Sequence, residues 1–109
     1  MEKDRKTQIE EFTEKVKMVM ESYQKRHPAV RVDRDYFPFK CTEEWGECLQ
    51  AYLMLTDRGR QKEKSKEEIK EKFGEEFADV FAFILLFAEN EGIDLAEVLE
   101  RKWFTRLTK

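Results

Sequence analysis

Glycine and proline are scarce in this 109-residue chain, at four and two. A turn-rich β fold needs more of both, so long helices are expected. Histidine occurs once, as His27 beside Pro28, and no Glu-x-x-His exists. That excludes the di-iron carboxylate bundles and leaves a zinc site without ligands. Cys41 and Cys48 are seven residues apart; on one helix their Cα atoms would be about 10 Å apart, too far for a disulfide. Both are expected reduced, as small half-buried apolar groups. The longest apolar stretch, Phe77 to Ala88, is interrupted by Asp79 and is too short to span a bilayer. The leading residues MEKDRKTQIEEF hold no apolar run after their charges, so no signal peptide and a cytoplasmic location are expected. Neither a Gly-rich phosphate loop of Walker type nor a Gly-x-Ser-x-Gly is present. No basic stripe stands out, and a net charge of −3 argues against nucleic acid as the main partner.

Charge, by contrast, is plentiful. Asp, Glu, Lys and Arg make up 41% of the chain, against about 25% in an average globule. Nine Phe, two Trp and three Tyr nevertheless supply core material, which excludes a disordered chain. The length suits one domain, residues 1–109, with a core small enough that such chains often add to it by oligomerising.

Four helices are expected. The first starts at Thr7, which with Glu10 has the spacing of a capping box, and carries Ile9, Phe12, Val16, Val19 and Tyr23 on one face until His27-Pro28 stops it. A loop from Pro28 to Tyr36 follows. The second begins near Pro38, with Asp35 as cap, and turns Cys41, Trp45, Cys48, Leu49, Tyr52 and Leu53 inward before fading at Asp57-Arg58-Gly59. A polar connection, Arg58 to Lys64, leads to a second capping box at Ser65 and Glu68. The third helix carries Ile69, Phe73, Phe77, Val80, Phe81, Ile84 and Ala88 and ends at Gly92. Asp94 and Glu97 open the fourth, with Ile93 and Val98 at the positions of a hydrophobic staple and Val98, Leu99, Trp103 and Leu107 along its face.

Two places break the amphipathic rule. Glu44 and Glu47 are i,i+3 on the second helix, and Glu76 and Asp79 are i,i+3 on the third. Asp79 stands in FADVFAFILLF, the most apolar sequence of the chain, where an unpaired acid is costly to bury. A hard divalent cation between the two pairs would offset their repulsion; carboxylates bind Mg²⁺, which keeps waters and takes substrate phosphates as further ligands. The bland alternatives are a solvated acidic face, as Glu10, Glu11 and Glu14 suggest elsewhere, and a salt bridge from Asp79 to Lys40 or Lys102. With oxygen ligands alone, phosphate chemistry is the natural inference.

Glu43-Glu44-Trp45-Gly46-Glu47, a spacer of 28 residues, and Glu76-Phe77-Ala78-Asp79 resemble the Glu-Glu-x-x-Glu and Glu-x-x-Asp motifs of the MazG-like all-α nucleotide pyrophosphohydrolases. Gly92-Ile93-Asp94-Leu95 is similar to that family's turn before its last helix, whose lysine falls here on Lys102. The resemblance covers about Phe39 to Lys102. It implies a four-helix bundle-like unit that forms a homodimer or a dimer of dimers. It also implies Mg²⁺-dependent hydrolysis, or Mn²⁺ in its place, of (deoxy)nucleoside triphosphates to a monophosphate and pyrophosphate. Glu44, Glu47, Glu76 and Asp79 would be the metal ligands, with Glu43 as an outer carboxylate and one of the inner four as base. Lys40, Trp45, Lys102 and Arg106 are the candidate substrate-binding residues. Arg106 is a departure, since many relatives carry Asn there; it would bind phosphate as a bidentate cation or complement the helix C-terminus. Trp45, Phe37, Phe39, Tyr36 and Trp103 are core residues or candidates for stacking a nucleobase, with Trp45 first and Phe37 and Phe39 next.

The expected function is therefore house-cleaning of the nucleotide pool by a pyrophosphohydrolase. Its rivals are a phosphoribosyl-ATP pyrophosphohydrolase using the same carboxylates, and a non-enzymatic helical interaction module whose acidic pairs are only surface. No membrane partner is expected.

Overall fold

The computed structural model describes residues 6–60 and 64–108. Among them the chain is all-helical, without a strand: α1 (Gln8–Arg26), α2 (Tyr36–Leu55), α3 (Lys66–Asn90), α4 (Leu95–Lys102) and a final 3-10 turn, Phe104–Thr108. Part of the Arg58–Lys64 connection, residues 61–63, lies outside the described residues. No described helix is long and apolar enough to cross a membrane.

The helix ends follow from local chemistry. At α1 the Thr7 hydroxyl accepts from the Glu10 N–H and the Glu10 carboxylate accepts from the Thr7 N–H, each at 3.1 Å. Ser65 and Glu68 repeat the box at α3, at 2.8 and 3.1 Å. Each box satisfies two backbone donors that a helix start leaves open. The Asp94 carboxylate caps α4 by accepting from the Glu97 N–H at 3.1 Å. Asp35 precedes α2 but caps nothing with its side chain. Its backbone is already helical (φ −77°, ψ −16°), not extended as a capping side chain requires.

Two helices stop in the same way. At α3 the Ile93 N–H donates to Ala88 O at 2.9 Å and the Gly92 N–H to Glu89 O at 3.1 Å, with Gly92 at φ +73°. At α2 the Arg58 N–H reaches Leu53 O at 2.8 Å and the Asp57 N–H reaches Met54 O at 3.2 Å, with Asp57 at φ 63°. This paired 6→1 and 5→2 pattern needs one left-handed residue, which glycine adopts freely and Asp tolerates. α4 ends earlier than its apolar pattern suggests. Trp103 closes it by donating to Leu99 O at 2.8 Å, and the chain then tightens to 3-10, leaving Trp103 and Leu107 exposed at 55% and 83%. The expected face through Leu107 is therefore absent.

The chain divides into two compact units, Met1–Arg34 with Leu85–Lys109, and Asp35–Ile84. In the first, α1 contacts α4, and Lys17 pairs with Glu89 at 3.2 Å. Arg34 grips Glu91 with two bonds, 3.0 and 2.7 Å, a fork-on-fork pair. The partly buried stripe of α1 is Ile9, Thr13, Val16, Met20 and Tyr23. Phe12 and Val19, expected on that face, are exposed at 40% and 66%. Thr13 takes an inward place because its hydroxyl donates to Ile9 O at 2.7 Å and so needs no water.

The second unit is a pair of antiparallel helices, α2 and the first part of α3. Rings meet in reverse order along them: Tyr36 with Phe83 at 6.3 Å, Trp45 with Phe77 at 6.2 Å, and Tyr52 with Phe73 at 5.8 Å between centroids. Phe37, Glu44, Cys48 and Ala51 on α2, and Ile69, Glu76 and Val80 on α3, are buried. Both cysteines are free, Cys48 buried and Cys41 partly so. Phe77, Phe81 and Ile84 are exposed, so within one chain α3 keeps an uncovered apolar side. Gly74 lies within α3, and a Cβ there would meet nothing within 4 Å; no close approach explains it.

Candidate metal centre

The helical repeat turns about 100° per residue, so each helix of the second unit has two edges flanking its buried line. On α2, Phe37, Glu44, Cys48 and Ala51 form the buried line. Glu43 and Glu47 fall to one side of it and Trp45, Leu49 and Tyr52 to the other. On α3, Asp79 falls to one side of the Ile69–Glu76–Val80 line, and Phe77 and Phe81 to the other. The helix pair thus has an acidic edge and an aromatic edge.

On the acidic edge the carboxylates converge. Single oxygens of Glu44, Glu76 and Asp79 lie within 4.8 Å of one another, and so do those of Glu43, Glu44 and Glu47. Glu44 belongs to both groups. Glu44 and Glu76 are buried, at 8% and 5% exposure, while Glu43, Glu47 and Asp79 are exposed. The sequence expectation that Asp79 is the buried acid is thereby corrected. Burial on α3 follows Glu76 and Val80, and Asp79, one position before Val80, swings about 100° out toward the open edge.

Two lysines stand among these acids. Lys40 Nζ lies 2.6 Å from Glu43 and 3.6 Å from Glu44, and 5.4 Å from the centre of the Phe83 ring. Lys72 Nζ donates to Glu76 Oε1 at 2.9 Å. Asp79 has no ion pair among the described residues, so the expected bridge to Lys40 or Lys102 is not found there. Lys72 escaped the sequence reading, although it precedes Glu76 by four residues, as Lys40 precedes Glu44; that shared spacing was the available signal.

Electrostatics follow the crowding. Burial raises the Glu44 carboxyl above its ordinary range, and Glu47, Asp79 and Glu43 push it further, with Lys40 pulling the other way. Burial also raises the Cys48 thiol, and the nearby Glu76 carboxylate adds to it. Glu76 Oε2 is buried without a hydrogen-bond partner among the described residues. A buried, unpaired carboxylate oxygen is costly. One oxygen of Glu76 lies among neighbouring carboxylates, which when ionised are acceptors only. Converging carboxylate oxygens are the donors a hard divalent cation takes, so this set could hold Mg²⁺ or Mn²⁺.

The remaining candidates are placed differently. Trp45 is half-exposed and sets its edge on Phe77. Because α2 turns about 200° between Trp45 and Glu47, they occupy opposite edges. Trp45 and Phe77 instead line an apolar groove with Cys41, Thr42, Val80, Phe81 and Ile84. Phe37 is buried, Tyr36 partly buried, and Phe39 exposed at 70%. Lys102 and Arg106 belong to the other unit and are exposed. They do not share a continuous helical face, because α4 stops between them; the Arg106 guanidinium instead lies 4.9 Å over the Trp103 ring. Comparison with protein-family models, with curated proteins and with solved structures found no match to this chain.

Proposed function

We propose that this protein is a divalent-cation-dependent hydrolase of nucleoside triphosphates, releasing a monophosphate and pyrophosphate. The observation that carries the reading is the convergence of Glu44, Glu76 and Asp79, with a buried Glu76 oxygen that has no hydrogen-bond partner among the described residues. The spacing of the two acidic motifs, which resembles the MazG-like family, supports the choice of substrate. Glu44 and Glu76 would hold the cation from the buried side, and Asp79 and Glu47 from the open side. Magnesium bound there would neutralise phosphate oxygens and lower the pKa of an attacking water. Glu43, exposed beside Lys40, is an outer carboxylate in this reading. Lys40, drawn to Glu43 and Glu44, stands where an ammonium can also meet phosphate oxygens.

Self-association belongs to the same proposal. The aromatic edge exposes Trp45, Leu49, Tyr52, Phe77, Phe81 and Ile84, each by 40% or more. Apolar side chains contiguous on one face resemble an interface core more than a solvated surface.

The test is a panel of ribo- and deoxynucleoside triphosphates assayed for pyrophosphate release with Mg²⁺ and with chelator. Release that needs the cation is expected. A protein that turns over none of them, and gains no thermal stability from Mg²⁺ or Mn²⁺, would be an interaction module instead.

A further inference from the structure

The two buried carboxylates have something in common besides burial. Each has a lysine one turn earlier on its own helix, Lys40 before Glu44 and Lys72 before Glu76. On a helix surface the favourable order is acid first and base four residues later, in line with the helix dipole. Both pairs here run in the weaker order. Helix stabilisation is thus a poor reason for them; compensation of buried negative charge is a better one.

The lysines are not equivalent. Lys40 is held from several directions, by Glu43, Glu44 and the Phe83 ring, and its side chain is 28% exposed. Lys72 has a single ion-pair partner among the described residues, Glu76, and its side chain is 50% exposed. It takes one oxygen of that carboxylate and leaves the other, buried Oε2 without a partner. Glu76 is also one of the three acids whose oxygens converge. An ammonium and a divalent cation drawn to one carboxylate repel each other. The ammonium is the one on a flexible four-carbon stem with open solvent beside it.

We propose that Lys72 is an exchangeable counter-ion: it neutralises Glu76 in the metal-free protein and gives way when a divalent cation is taken up by Glu44, Glu76 and Asp79. This rests on reading those carboxylates as a cation site. It adds that the chain carries its own competitor, which holds cation affinity down and keeps the metal-free fold tolerant of the buried Glu76.

The sign of one measurement decides it. Mn²⁺ is titrated calorimetrically into the wild-type chain, Lys72→Met, Lys72→Gln, Lys72→Arg and, as control, Lys70→Met on the same helix. If Lys72 competes, Lys72→Met and Lys72→Gln bind Mn²⁺ about tenfold more tightly, while Lys72→Arg and Lys70→Met stay near wild type. The glutamine variant keeps a hydrogen bond to Glu76 and covers the case in which the methionine variant does not fold. Thermal melts give an independent readout: metal-free Lys72→Met melts below wild type, and saturating Mn²⁺ closes the gap. Unchanged or weaker Mn²⁺ binding by both neutral variants, with wild type still binding, overturns the exchange but not the cation site. No Mn²⁺ binding by any of them overturns both.

Discussion

Glu44, Glu76 and Asp79 share one small volume but carry different burdens. Glu44 and Glu76 bear the cost of burial, and Asp79 bears only repulsion. Asp79→Asn should therefore leave the helices intact and the metal-free melting temperature unchanged or slightly higher, since it removes a charge that repels Glu44. Turnover should fall by roughly a hundredfold or more, as the cation loses a ligand. Circular dichroism and pyrophosphate release on the same sample check this; near-normal turnover by the folded variant would remove Asp79 from the site. A second expectation concerns acid stability. Arg34 holds the Glu91 carboxyl below its ordinary range by a hydrogen-bonded pair. A depressed carboxylate contributes stability that is present above its unfolded value and lost as pH falls through its folded value. Arg34→Gln should thus lower stability at neutral pH and shrink the loss on acidification, read from denaturant midpoints between pH 7 and pH 3. Equal acid sensitivity in both proteins contradicts the pairing. At this scale the acids were legible because they broke a pattern. Which of them is buried was not, since one residue of helical phase separates Asp79 from Val80.

The helix ends are where local chemistry decides most. Thr7 and Ser65, each with a glutamate three residues on, form reciprocal boxes, and Gly92 takes the left-handed position after α3. Thr7→Ala should cost about 1 kcal/mol, and Gly92→Ala about 1–2 kcal/mol, from a Cβ forced into left-handed backbone. Urea unfolding measures both, and a loss within error at Gly92 would mean that the turn relaxes freely. These features were readable because they depend on residues three or four apart. The inward stripe of α1 was not, because Thr13 behaves as a packing residue only once its hydroxyl has bonded to Ile9 O. The end of α4 was misread for a related reason. Its apolar spacing continues to Leu107, but the backbone tightens after Lys102 and Arg106 settles on Trp103. Periodicity reports where a helix can form, not where its last carbonyls find partners.

For the whole molecule, the all-helical class was legible from scarce glycine and proline and from the capping signals. The division into an acidic and an aromatic edge was not, because it depends on which line of α2 and α3 is buried. The aromatic edge carries an expectation about assembly: a two-fold homodimer or larger at micromolar concentration, by light scattering during size-exclusion chromatography. Trp45→Glu or Phe81→Glu should weaken it by placing a charge in an apolar contact. A fully active species near the mass of one chain would contradict it. The central claim, that these carboxylates direct water onto a nucleotide, is tested most directly by turnover in ¹⁸O-labelled water with Mg²⁺, followed by mass analysis of the products. Attack at the α phosphorus predicts the label in the nucleoside monophosphate and none in the pyrophosphate. Label in pyrophosphate, or orthophosphate with a nucleoside diphosphate as first products, would contradict the account.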